Sequence, residues 1–174
     1  MEKFKDLINS TELCVWEKEK FVSFWGSCFS NFYPAKFTLY NTEWLTSEQY
    51  FMYQKAMYFN DTEIAELIKN TEHPKECKKL GRKVKNFDDT IWGAARFGVM
   101  NDAVLAKFSQ NEELKKALLY FRKKGYHFIE GSPYDKIWGV GINYNDPLIA
   151  DKKNWKGENL LGTCLDEVGD FLVA

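Results

Sequence analysis

The sequence is poor in the residues that mark several common protein classes. Of its 174 residues only two are histidine, four are cysteine and four are proline. His73 and His127 share no ligand spacing with Cys14, Cys28, Cys77 or Cys164, and no two cysteines form a Cys-x-x-Cys pair. A zinc centre is therefore not expected, and the thiols read as reduced and mostly buried, as in a cytosolic protein. A lone cysteine nucleophile paired with His127 is a minor alternative. The prolines are scattered at 34, 74, 133 and 147, with no repeat and no low-complexity stretch. No linker is visible, and the length suits one domain over residues 1–174. No run approaches the roughly 18 apolar residues of a membrane span. Met1 to Ser10 lacks the continuous apolar segment of a signal peptide. The expectation is a soluble, cytoplasmic protein with no membrane association.

An excess of one charge is missing too. Twenty-four basic residues face 25 acidic ones, for a net charge of -1. A general nucleic-acid binder carries a basic face that neutralises phosphates, so that class is disfavoured, while a local basic pocket for one nucleotide is not. There is no Walker motif, no Gly-x-Ser-x-Gly elbow and no His-Glu-x-x-His. Gly139-Val140-Gly141 lacks the third glycine and the following helix of a dinucleotide fingerprint.

Aromatics, by contrast, are abundant: 14 Phe, 9 Tyr and 6 Trp make up 17% of the chain. Rings bury much surface each, so the core is substantial, and some rings can wall a site for a flat ligand. The N-terminal third reads as extended over 12–16 and 21–25. A hairpin over 37–40 and 43–45 follows, turned by Asn41-Thr42. Thr46-Ser47-Glu48-Gln49 fits a capping box that opens a helix through Ala56 or beyond. Asp61 caps a second helix. A third runs from Pro74 to near Gly81, and Asp88 or Asp89 caps a longer one carrying Trp92, which Asn111 to Tyr120 continues. Strands are expected over 126–130 and 137–142, and a closing helix over 159–168. The fold class is α+β, helix-dominated, with a few short strands.

Three residues stand out chemically. Glu48 lies in the first turn of its helix, where an acid simply complements the helix dipole. It is followed, however, by Tyr50, Phe51, Tyr53, Gln54 and Lys55, an aromatic wall able to hydrogen-bond. Asp135 can be a turn carboxylate binding its own backbone, yet it sits where a proline loop feeds an aromatic, glycine-rich segment ending in Trp138-Gly139-Val140-Gly141. Trp92 and Arg96 share a helix face. Core packing is the plain reading of the indole; the alternative is a base-stacking ring beside a guanidinium that holds a phosphate or orients an acid. Lys107 lies eleven residues beyond Arg96, near the same face.

These segments together resemble the YbiA-like, or NADAR, family of N-glycosidases. Ser30-Asn31-Phe32-Tyr33-Pro34 is similar to its Ser-Asn-Phe-Tyr-Pro opening, and Thr46 through Ala56 to its glutamate helix. Leu80-Gly81-Arg82-Lys83-Val84 resembles its Gly-Arg segment. Trp92 with Arg96, Val99 and Met100, followed by Lys107-Phe108-Ser109-Gln110-Asn111, resembles a further block. Ser132-Pro133 through Asp135 to Gly141 is similar to its Ser-Pro-x-Asp-x-x-Trp-Gly-x-Gly, and Gly157 to Gly162 to its Gly-x-Asn-x-Leu-Gly. The blocks keep the family order over about residues 21–170.

The resemblance implies an N-glycosidase acting on a phosphoribosyl or ADP-ribosyl base. Examples are the ribosylamino-pyrimidine phosphates of riboflavin synthesis, or guanine carrying ADP-ribose, which would make ADP-ribosylated nucleic acid a partner. Glu48, Trp92 and Asp135 fall on the family's catalytic positions. Breaking the bond from ribose C1′ to nitrogen resembles O-glycoside hydrolysis in its oxocarbenium character, and two carboxylates can divide the work. Glu48 is assigned the water and the cation, Asp135 the ribose or base, and the reverse assignment stays open. Ser30, Asn31, Tyr50, Gln54, Lys55, Arg82, Arg96, Lys107 and Trp138 are the candidate substrate-binding residues. No metal and no cofactor are expected. Gln49 stands where the family often has His, and Gly169 where Arg is common. The rival readings are a non-catalytic nucleotide or ADP-ribose binding module, and a structural protein whose rings are only core and interface.

Overall fold

The computed structural model describes residues 3–174. Its chain contacts gather into two compact units, one formed by Asn31–Asn111 and the other by Met1–Ser30 together with Glu112–Ala174. The fold is α+β and mostly helical.

The Asn31–Asn111 unit is built around α2 (Ser47–Tyr58), which packs against α3 (Thr62–Lys69), α4 (Pro74–Gly81) and α5 (Asp89–Gln110). The starts of these helices follow from local chemistry. Thr46 accepts the Gln49 N–H, Asp61 that of Ile64 and Asp88 that of Ile91, each supplying an acceptor to a donor with no partner inside its helix. Pro74 opens α4, where its missing N–H costs nothing. Gly81, expected as a stop signal, is the last residue of α4. A Cβ there would fall 2.1 Å from the Met52 sulfur, so its role is to let α4 approach α2. A two-stranded hairpin, β3 (Phe37–Leu39) with β4 (Thr42–Trp44), completes the unit.

The other unit carries a three-stranded sheet in the order β1 (Leu13–Trp16), β2 (Phe21–Phe24), β5 (His127–Glu130). The β1–β2 pair is antiparallel and the β2–β5 pair parallel, with Phe24 opposite Glu130. Helix α7 (Leu160–Val173) packs on β5, α6 (Glu112–Arg122) on α7, and α1 (Lys3–Ile8) on α6. Phe21, Ile129, Val140, Ile142 and Ile149 form one buried cluster, closed by Trp16 and Trp155.

Three expectations need correction. The hairpin turns at Tyr40-Asn41, not Asn41-Thr42; both carry positive φ, 50° and 58°, as a tight two-residue hairpin turn requires. Asn111 does not continue a helix. It stands extended between α5 and α6, and its side-chain amide donates to the carbonyls of Lys36 and Lys107. Residues 137–142 form no strand. Their backbone is held by single bonds to scattered partners, with Val140 N–H donating to Glu130 and the Val140 carbonyl accepting from Lys156. Short α1 was not anticipated at all. Among the described residues no helix is long and apolar enough to cross a membrane. None of the four cysteines is in a disulfide, and Cys28, Cys77 and Cys164 are buried.

Candidate active site

In the Asn31–Asn111 unit the capping turn of α2 places Glu48. Its backbone N–H donates to the Asn31 carbonyl at 3.1 Å, which locks the Ser-Asn-Phe-Tyr-Pro segment onto the glutamate turn. Glu48 is only 5% exposed. Its charge is felt by two neighbours. The Cys77 thiol is pushed up to about 11, mainly by burial and then by Glu48. Lys55 is lowered by burial, an effect opposed by Asp89 and Glu48 and assisted by Arg82. Asp89, Glu48 and Arg82 thus all act on the Lys55 ammonium, which lies 4.2 Å from the centre of the Phe87 ring. Asp89, which sequence reasoning considered only as a helix cap, is one of the three.

Other candidates in this unit lie differently. Trp92 is 4% exposed and packed between Phe51, at 5.1 Å between ring centres, and Tyr58, at 5.8 Å. A base could stack on it only if one of those rings withdrew. Arg96 is half-buried on α5, one turn beyond Trp92, and Gln54 is half-buried on α2. Tyr50 is enclosed edge-on by Phe37 and Trp44, and burial pushes its phenol well above the ordinary range. Lys107 is 1% exposed, its ammonium lying over the rings of Phe108 and Tyr33. Arg82 is exposed at the end of α4.

Gln49 is a fold residue. Its Oε1 accepts the Leu45 N–H at 2.9 Å, and its Nε2 donates to the carbonyls of Ile68, Lys69 and Thr71 at the end of α3. Its reach back is to Leu45, one residue before the cap. Gln49 thereby holds the end of α3 to the start of α2.

The other unit holds Ser30, Asp135 and Trp138. Ser30 is buried, its N–H bonded to the Ser27 carbonyl at 2.9 Å. The Ser132 hydroxyl accepts from Tyr134 N–H at 3.3 Å and Asp135 N–H at 3.2 Å. Asp135 Oδ1 accepts from Ile137 N–H at 2.9 Å and Trp138 N–H at 2.8 Å. The turn reading of Asp135 therefore describes one carboxylate oxygen. The segment is clamped by the next motif, because the N–H groups of Glu158, Asn159, Leu160 and Leu161 donate to the carbonyls of Lys136, Gly139, Ile137 and Trp138. Gly157 makes this possible, since a Cβ there would lie 2.3 Å from the Gly139 oxygen. Asn159, at φ 55°, donates from Nδ2 to the Phe128 carbonyl and accepts the Glu130 N–H at Oδ1, both at 2.9 Å, so one side chain ties α7 to β5. Two motifs that read as separate in sequence are one structural device. The asparagine flanked by glycines was the available signal for it.

His127 Nδ1 meets Asp166 Oδ2 at 2.7 Å, and burial pushes the Cys164 thiol up to about 12. A cysteine nucleophile activated by His127 finds no support. Arg122 fills the space a Cβ on Gly169 would take, which explains glycine there. Among the described residues no group of three or more His, Cys, Asp or Glu is placed to hold a metal ion.

The NADAR domain profile matches residues 18–173, which include residues of both units. The chain belongs to the NADAR family. An N-glycosidase of Acanthamoeba polyphaga mimivirus is 36% identical over 167 residues, covering 87% of this NADAR chain and 96% of its own. Protein irg-1 of Caenorhabditis elegans is 41% identical over 160 residues, covering 83% and 74%. A riboflavin biosynthesis protein of Vibrio vulnificus is 32% identical over 112 residues, 64% of this chain and 29% of that one. The solution structure of Escherichia coli YbiA superposes with a TM-score of 0.73 at 26% identity, covering 95% of this chain and 92% of that one. This NADAR protein thus has the YbiA fold.

Proposed function

We propose that this NADAR protein hydrolyses the N-glycosidic bond of a phosphoribosyl or ADP-ribosyl base. Family membership and the N-glycosidases among its relatives support a hydrolase of N-glycosyl bonds. The name of the Vibrio vulnificus relative favours intermediates of riboflavin synthesis as one substrate class. Guanine carrying ADP-ribose is the other. The four thiols, none bridged, suit a reducing cytoplasmic setting.

The observation that carries the reading is Glu48, a nearly buried carboxylate at a capped helix start, whose charge acts on the Lys55 ammonium. As positive charge develops at C1′, a fixed carboxylate stabilises it and can accept a proton from the attacking water. Lys55 and Arg82 suit the phosphate oxygens of the substrate. Asp135 takes the ribose hydroxyls or the leaving base, held by its turn in a fixed orientation. Trp92, braced by Phe51 and Tyr58, keeps a rigid wall. A mere binding module would not need both carboxylates.

The test is to incubate the protein with a ribosylamino-pyrimidine phosphate and, separately, with an oligonucleotide carrying ADP-ribosylated guanine, following the products by mass spectrometry. Release of ribose phosphate or ADP-ribose from one of them supports the reading and selects the substrate class. Tight binding of both without release contradicts it and favours the binding module.

A further inference from the structure

Trp25 and Tyr134 are large rings left in solvent, 40% and 83% exposed, with their centres 6.1 Å apart and their planes at 57°. Scattered exposed aromatics need no explanation, but a pair beside a functional loop does. The pairing is set by the fold. In the parallel ladder Phe24 lies opposite Glu130, and the Gly131 N–H donates to the Phe24 carbonyl at 2.8 Å. The residue that follows β2 is Trp25, which therefore reaches the loop that begins at Gly131. Tyr134 immediately precedes Asp135.

Neither ring is among the buried residues of the core. Tyr134 is almost wholly in water, and Trp25 keeps a large share of its surface there. Their supports, however, are rigid. Pro133 fixes its own φ. Ser132 Oγ accepts the Tyr134 and Asp135 N–H groups, and the Trp25 N–H donates to the Glu12 carbonyl at 3.2 Å. Gly26, at φ 87°, takes the turn after Trp25, where a Cβ would lie 2.7 Å from the Glu12 carboxylate. Rings presented on a pre-ordered backbone lose little entropy on binding a flat ligand.

We propose that Trp25 and Tyr134 form a stacking ledge for a planar heterocycle of the substrate. The ledge is a binding subsite beside Asp135, outside the residues assigned to bond cleavage. It rests on the reading of Asp135 as a substrate-facing residue. Base-on-aromatic stacking is sequence-tolerant, so the ledge sets affinity for a heterocycle and leaves the choice among bases to other groups.

Calorimetric titration with adenosine 5′-monophosphate and with ribose 5-phosphate tests this without requiring turnover. The nucleotide binds wild type more tightly than the sugar phosphate. Tyr134→Ala and Trp25→Ala each weaken nucleotide binding about tenfold or more and leave ribose 5-phosphate binding unchanged; Tyr134→Ala also leaves the melting temperature unchanged, because its ring is almost wholly exposed. Tyr134→Phe, which keeps the ring, retains nucleotide affinity. Equal affinity of wild type for the two ligands, or variants that weaken both alike or neither, overturns the ledge. Because binding alone is read, a failure of the glycosidase reading, seen as absent product release, is distinguishable from a failure of the ledge.

Discussion

Asp135 accepts the backbone N–H of Trp138 at 2.8 Å through the same Oδ1 that accepts the N–H of Ile137. Structure and chemistry are thereby separable at this residue. Asp135→Asn keeps an acceptor oxygen in the turn but removes the charge. Its stability should stay close to wild type while kcat falls by about a hundredfold or more. Asp135→Ala loses both and should also cost about 1–2 kcal/mol in urea denaturation. Equal stability of the two variants would show that the turn bonds are dispensable.

Gln49 serves the fold through four backbone partners. Gln49→Ala leaves the Leu45 N–H and the end of α3 unsatisfied and is expected to destabilise by about 1–3 kcal/mol. The preference between substrates should not change. A variant of normal stability with altered preference would return Gln49 to the substrate.

The contrast between Gln49 and Thr46 shows what the sequence could convey. Thr46, Asp61, Asp88 and Pro74 mark helix starts through bonds or backbone angles a few residues away, and all four open helices as expected. Residues 137–142 misled because their apolar, glycine-punctuated run looks like a strand, whereas their backbone partners lie at 130 and 156–161. Glu48, Trp92 and Asp135 were legible as residue types in motif order. The burial of Lys107 and Tyr50 was not, because it depends on which rings pack around them.

Asn159 combines a left-handed backbone with two bonds across to β5. Asn159→Gly relieves the backbone but abandons both partners, and about 2–4 kcal/mol of stability should be lost. Asn159→Asp keeps the acceptor for Glu130 N–H and turns a second oxygen toward the Phe128 carbonyl, so it should be destabilised as well. Thermal melts of both variants check this; a neutral Asn159→Asp would rule out the donor role.

Asp61 titrates below its ordinary value near 3.8, chiefly because it accepts the Lys85 N–H, with Ile64 N–H as a second donor. A carboxyl lowered on folding contributes stability that is present above its unfolded pKa and lost as pH falls through the folded one. Wild type should therefore exceed Asp61→Asn in melting temperature at pH 6, and the gap should close as the pH is taken below about 3.8. A gap independent of pH would mean the charge is not what the two donors recognise.

The most direct test of the account is the single-turnover rate of Glu48→Gln on whichever N-riboside the wild type cleaves. Glutamine keeps the shape of the side chain and the Asn31 bond, which is made by backbone, but removes the carboxylate. The account predicts a rate at least about a hundredfold lower, with substrate affinity and melting temperature nearly unchanged. A near-wild-type rate would remove Glu48 from the chemistry and with it the assignment of this NADAR protein's reaction to that carboxylate.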